Sequence, residues 1–233
     1  MRNSIALPVM AALLFSSSAA WADSANGSDQ NLFEPERCQI SPDTVANVQS
    51  KLATVVNLPD QNGGLFKPNR MWSAVVDRKG TLCSVIVTGD AWPGSRAIAI
   101  AKAFTANGFS NNALALSTAN LYSPTQPGGS LYGLNNSNPF NPVFLPQNSG
   151  IGFVLGGIIT FGGGVALYQG GQVIGGLGVS GDTSCADHAI AYRMRHLAGL
   201  DGTPNSDNIV YLAANEPPND FKQPHCGTTD VTP

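Results

Sequence analysis

Charged side chains are scarce in this chain, and so are histidines. Only 12% of the 233 residues are Asp, Glu, Lys or Arg, three are His, and the formal net charge is −3. Nucleic acid and anionic lipid surfaces are held by basic patches, so the composition excludes both as partners. Three histidines and scattered carboxylates supply no recognisable set of nucleophile, base and oxyanion donors. Long apolar runs are missing too. After the first 22 residues no stretch approaches the roughly 18 apolar residues of a membrane-spanning helix, which predicts no membrane insertion. The sequence has no internal repeat and no coiled-coil heptad.

What is present begins with Arg2, an apolar run over residues 5–15, and Ala20-Trp21-Ala22. This is the pattern of a secretory signal over residues 1–22, cleaved before Asp23, and it predicts a periplasmic or secreted protein. Residues 23–40 read as a polar, flexible arm. The four cysteines, Cys38, Cys83, Cys185 and Cys226, all follow the signal. An even count in an oxidising compartment predicts two disulfides, with three connectivities open.

The chain is organised around residues 161–196. Residues 165–168 and 173–179 read as strands joined by Gly170-Gly171, a pair suited to a tight hairpin turn. Asp182, Thr183 and Ser184 are all good helix caps, Asp187 stands three after Ser184 as in a capping box, and residues 185–197 read as a helix. Upstream, Ser41-Pro42 opens a helix carrying Val45, Val48, Leu52, Val55 and Val56 on one face. Residues 71–76 and 81–88 form a second hairpin, and Pro93-Gly94-Ser95 starts a small-residue helix that stops at Gly108. Residues 107–150 form a long insert, rich in Asn, Ser, Pro and Gly. Its Tyr122, Tyr132, Phe140 and Phe144 argue for docking, either as loop packing or as one wall of a pocket for a flat ligand. Residues 112–121 read as a short helix and residues 208–213 as a last strand; residues 201–233 form a polar C-terminal extension. Helices between hairpins cover both faces of one sheet, so the fold class is α+β, with a five-stranded antiparallel sheet.

Several local patterns invite a chemical reading. Gly176-Leu177-Gly178-Val179-Ser180-Gly181 matches a dinucleotide fingerprint, but its strand is the second arm of a hairpin, not the opening strand of a parallel unit. Gly178 to Asp182 nearly fits a nucleophile elbow, with Asp at the fifth place. Cys185, His188, His225 and Cys226 make a zinc set only if Cys185 and Cys226 are not bonded to each other. His196 reads as a surface residue near a helix C-terminus, where a cation is favoured. His188 lies in the first turn, where the helix dipole favours neutral imidazole, the form that ligates iron. It is either that ligand or a hydrogen-bonded histidine near the surface. Lys102, on an otherwise apolar helix, either snorkels to solvent or pairs with an acid. Asp77 reads as structural.

Three blocks in order carry a family resemblance: Val75-Val76-Asp77-Arg78-Lys79-Gly80, Ala101-Lys102-Ala103-Phe104-Thr105-Ala106, and Gly175-Gly176-Leu177-Gly178-Val179-Ser180-Gly181. Over residues 41–200 the chain resembles the GlcG/HbpS family of small haem-binding proteins. Its signal, its insert, the loop from Leu121 to Ser130 and the block from Thr183 to His188 resemble an exported branch. The resemblance implies a profilin-like three-layer α-β-α sandwich with strand order 2-1-5-4-3, self-association as a homo-oligomer, and haem or another flat small molecule as partner. The implied fold places Cys38 near Cys83 and lets the tail bring Cys226 to Cys185. The resulting expectation is an exported protein for haem carriage, storage or sensing. His188 or Tyr122 would ligate iron, Lys102 would meet a propionate, and Gly178 and Ser180 would line the flat face. An enzyme on the same scaffold, acting on haem or a small organic acid, and a ligand-free partner subunit are the alternatives.

Overall fold

The first helix, α1 (Pro42–Val55), begins where Ser41 accepts a hydrogen bond from the Thr44 amide at 3.1 Å, and its Val48, Leu52 and Val55 are buried. The protein is described here from a computed structural model covering residues 34–142, 146–202, 206–213, 215–216 and 221–233. The expected signal over residues 1–22, most of the arm at 23–40 and Phe144 lie outside the described residues. After α1 come the hairpin β1 (Trp72–Asp77) and β2 (Leu82–Val87), helix α2 (Ser95–Gly108), the hairpin β3 (Gly164–Gln169) and β4 (Gln172–Ser180), and helix α3 (Ser184–Leu197). Gly170 and Gly171 make the second turn with φ of 58° and 77°, values that a side chain disfavours.

The four strands pair antiparallel in the order β2-β1-β4-β3. Alternation along the strands builds two cores. Val75, Val165, Leu167, Leu177 and Val179 pack against α1 and α3, whereas Trp72, Ala74 and Val76 pack with Ala99, Ile100 and Ala103 of α2. The result is a mixed α/β sandwich with two helices on one face of the sheet and one on the other.

The expected fifth strand is not among the described elements. Residues 208–213 contribute one isolated bridge, Tyr211 with Gln223, inside the C-terminal segment. At the outer edge of β3 the polar groups that a fifth strand would meet are taken by other partners. Thr118 donates its amide to the Gly164 carbonyl, and the Gly164 amide donates to Thr118 Oγ1 at 2.8 Å. Arg195 Nη1 donates to the Ala166 carbonyl at 3.1 Å, and the Tyr168 amide donates to the Leu200 carbonyl at 2.9 Å. Residues 112–121 are likewise not helical. Short polar side chains take the backbone bonds instead: Asn111 Oδ1 accepts from the Ala113 and Leu114 amides, Ser110 Oγ from Leu116, and Asn120 Oδ1 from Ser117.

Helix α2 sits unusually low on the sheet. A Cβ added at Gly178 would stand 2.0 Å from the Ala99 carbonyl oxygen, and one at Gly176 would stand 2.2 Å from that of Ala103. These glycines let the helix backbone touch β4. The insert and the residues that follow it dock against α2. Arg96 donates to the Ser149 carbonyl, the Ile159 amide donates to Thr105 Oγ1, and Phe140 packs onto the α2 core.

The sulfurs pair Cys38 with Cys83 and Cys185 with Cys226. Among the described residues, no helix is long and apolar enough to cross a membrane.

Candidate functional site

Helix α3 carries Asp187, His188, Tyr192, Arg193, Arg195 and His196. Thr183 caps it, accepting from the Ala186 amide at 3.2 Å. Asp187 then points inward instead of closing a capping box with Ser184. Its Oδ1 accepts from the Asp182 amide at 3.0 Å, and its Oδ2 meets Lys102 Nζ at 2.6 Å. Lys102 also donates to the Val179 carbonyl at 3.2 Å, with its ammonium 4.7 Å from the centre of the Phe161 ring. Both side chains of this ion pair are essentially out of solvent. Burial pushes Lys102 down and lifts Asp187 to about 6, and each partner pulls the other back.

This geometry corrects two expectations. Lys102 neither snorkels nor waits for a propionate, because α2 seats it in the core and Asp187 takes its charge. Gly178 does not line a ligand, because the backbone of α2 occupies that face of β4. Ser180, two residues on, is buried opposite Trp72 under the same helix.

His188 is fully buried. Among the described residues neither its Nδ1 nor its Nε2 completes a well-formed hydrogen bond, although the Asn208 side chain lies close to the ring. Burial lowers its pKa to about 4, with Asp207 and Asn208 pulling it up and Arg195 pushing it down. The imidazole is therefore neutral at pH 7. Its ring centre lies 5.8 Å from that of Tyr192, one turn along α3, and a Cβ placed on Gly162 would stand 3.0 Å from the His188 Cβ. An unpaired buried imidazole costs free energy unless something binds it.

Two features of this region were not read from the sequence. Arg195 is buried, donating through Nη2 to Asp207 Oδ1 at 2.8 Å and through Nη1 to Asp207 Oδ2. The signal was present: His188, Tyr192 and Arg195 share one helix face at i, i+4 and i+7, with Asp207 shortly after. Asp182 was read only as a cap candidate. It instead gathers the 65–69 loop, accepting from the Leu65 and Phe66 amides and from Asn69 Nδ2.

The other candidate residues scatter. Tyr122 is half-buried, and the bonds to its carbonyl come from Thr125 and Gln126 in its own turn. Tyr132 is exposed and Phe140 packs against the α2 core, so among the described residues these two do not share a wall. His196 is 73% exposed and bonds Asp201 Oδ2 through Nδ1 at 2.8 Å. His225 stacks on Tyr211. The zinc set is dismantled, since Cys185 and Cys226 are joined to each other. Asp77 is structural, accepting from the Gln39, Lys79 and Thr81 amides.

Against a haem, this donor set offers one residue: His188, neutral and without a well-formed hydrogen bond, would hold the iron through an imidazole nitrogen. The group is sealed, however, and its neighbouring cation Lys102 is already neutralised.

Comparison with known proteins places the chain. The family described as haem degrading protein HbpS-like matches residues 67–195, more than half of the sequence. The corrinoid adenosyltransferase PduO of Citrobacter freundii is 35% identical over 123 residues, which are 51% of this chain and 30% of that protein. The chain thus corresponds to less than a third of that relative's length. A crystal structure of a PduOC:haem complex is 27% identical with a TM-score of 0.51, covering 68% of this chain and 94% of that one. The Klebsiella pneumoniae protein ORFY is 25% identical with a TM-score of 0.51, covering 72% and 95%. The chain belongs to the HbpS-like family.

Proposed function

We propose that this member of the HbpS-like family is an exported haem-binding protein, cleaved after Ala22 and working in the periplasm or outside the cell as a homo-oligomer. The observation that carries this reading is His188, a buried neutral imidazole whose two nitrogens complete no well-formed hydrogen bond. Haem iron takes such a nitrogen as an axial ligand. The PduOC:haem neighbour supports the choice of ligand, and the sparse charge of the chain suits a large apolar macrocycle. The roles consistent with this are carriage, storage or sensing.

The test is an absorbance titration of the disulfide-bonded protein with hemin, read after prolonged equilibration, beside His188→Ala. The expected result is a Soret band that saturates at a fixed ratio and is lost in the variant. A band that is absent, or identical in His188→Ala, overturns the assignment. The family description favours one further reading, a haem-degrading enzyme. Loss of the bound haem's absorbance on adding reductant and oxygen would support it.

A further inference from the structure

The C-terminal segment crosses the first turn of α3, just where His188 is sealed. Ile209 packs with Cys185 and Ala119 in a small apolar cluster, with Tyr211 against it. Asn120 Nδ2 donates to the Asn208 and Phe221 carbonyls, and Ser123 holds the Lys222 carbonyl with its amide and its hydroxyl. Gln223 is the latch. Its Oε1 accepts from the Gly162 amide at 2.7 Å, while its Nε2 donates to Ser184 Oγ and Cys185 Sγ. Gly162 lies beside the root of His188: a Cβ placed on Gly162 would stand 3.0 Å from the His188 Cβ. Asn208, in the same C-terminal segment, brings its side chain to the imidazole. The segment therefore flanks the histidine and is tied to the start of its helix.

Apart from Ile209 and Tyr211, these contacts are polar. Each such bond contributes only about 0.5–1.5 kcal/mol net. The covalent tie is Cys185–Cys226, and its two sulfurs differ. Cys226 is an exposed residue, whereas Cys185 is 1% exposed and is the second residue of α3. Of the two cysteines Cys226 is the solvent-exposed residue and so the one an incoming thiolate would attack, and a cysteine in the first turn of a helix leaves readily as thiolate. Cys38–Cys83 lies elsewhere, beside α1 and β2, with both residues half-buried.

We infer that the C-terminal segment is a disulfide-held clasp over His188, and that a dithiol reductant opens it. One donor thiolate attacks Cys226 Sγ, the Cys185–Cys226 bond breaks, and Cys185 departs as thiolate. The second donor thiol then resolves the mixed disulfide. The donor ends as a disulfide, having given two electrons, and its two protons go to Cys185 and Cys226. Gln223 and Gly162 lift, and His188 becomes reachable. This rests on the haem reading only for what then enters.

The test is histidine footprinting with diethyl pyrocarbonate, which acylates accessible neutral imidazole, read peptide by peptide with His196 as the internal reference. In the oxidised protein His188 is expected to be protected. In Cys185→Ser/Cys226→Ser, and after selective reduction, it is expected to react at least tenfold faster relative to His196. Cys38→Ser/Cys83→Ser should behave as the oxidised protein. Gln223→Ala, which keeps both disulfides, should give an intermediate rate and guards against a serine variant that fails to fold. Labelling of His188 at one rate in all these forms, fast or slow, overturns the clasp. Hemin separates this from the proposed function. A protein that opens but gives no Soret band keeps the clasp and loses haem. A His188-dependent band that forms equally fast in the oxidised protein and the Cys185/Cys226 variant keeps haem and overturns the clasp.

Discussion

His188 and His196 stand on one helix, and its two ends treat them in opposite ways. At the first turn the imidazole is fully buried, with Gly162 and Asn208 beside the residue, and completes no well-formed hydrogen bond. At the last turn, an imidazole open to water has a carboxylate, Asp201, on its Nδ1. A pocket of about 470 Å³ lies beside it, lined by Leu58, Pro59, Asp60, Arg193 and Leu197. The charge pairs follow the same division. Lys102–Asp187 is sealed, whereas Arg193–Asp60 is part-exposed. Residue type does not decide what a histidine or an ion pair is for; what covers it does.

The sharpest way to break this comparison is to remove one cation from each end. Lys102→Met leaves Asp187 buried and unpaired, and should cost about 3–5 kcal/mol in urea unfolding. Replacing both partners, Lys102→Met with Asp187→Leu, should recover most of that loss. Arg193→Met strips an exposed carboxylate and should cost less than about 1 kcal/mol.

Next in size is a pH effect. The folded pKa of His188, about 4, lies below its unfolded value of 6.5, so the unfolded chain binds the extra proton first. Stability that His188 leaves intact above pH 6.5 is lost as pH falls toward 4. Asp187 runs the other way: its folded pKa, about 6, lies above the model-peptide 3.8, so its contribution is present below 3.8 and lost as pH rises through 6. The two offset each other in the wild type. His188→Gln removes one of them. The stability difference between variant and wild type should move by roughly 3 kcal/mol in the variant's favour between pH 7 and pH 4. Equal pH profiles would mean that His188 is not held neutral by burial. The smallest effect belongs to the open end. His196→Ala should change stability by less than about 1 kcal/mol and leave the hemin band in place. Loss of the band in this variant, and not in His188→Ala, would move the iron to the surface pocket.

The helices and hairpins were legible because their signals are local. Ser41 and Thr183 cap, Gly170-Gly171 turns, and apolar residues repeat at the right period. The cysteine pairing followed once the resemblance supplied a fold. What stayed hidden depended on partners distant in sequence. Asp187 looks like a capping residue until α2 brings Lys102 to it across 85 positions. Gly178 looks like a ligand wall until the same helix is seen to fill it. The fifth strand was expected from residues 208–213, yet a side chain from α3 and the Leu200 carbonyl beyond that helix take part of the β3 edge. Arg195 was not singled out from the sequence, although its spacing from His188 placed it on the inner face.

That sealed edge also gives the sheet a direction. Association through strands needs rows of open backbone donors and acceptors. On β3, the Gly164, Ala166 and Tyr168 groups described above are spoken for by Thr118, Arg195 and Leu200. On β2, at the other edge, Leu82 is engaged by Gly152 and Phe153, while Val85 and Val87 lie further along the same strand. A second copy that added strand to strand would dock from the β2 side. Two such copies, joined β2 to β2, would each present to the next a β3 edge whose groups are in good part already taken, which works against growth by this route into a fibre.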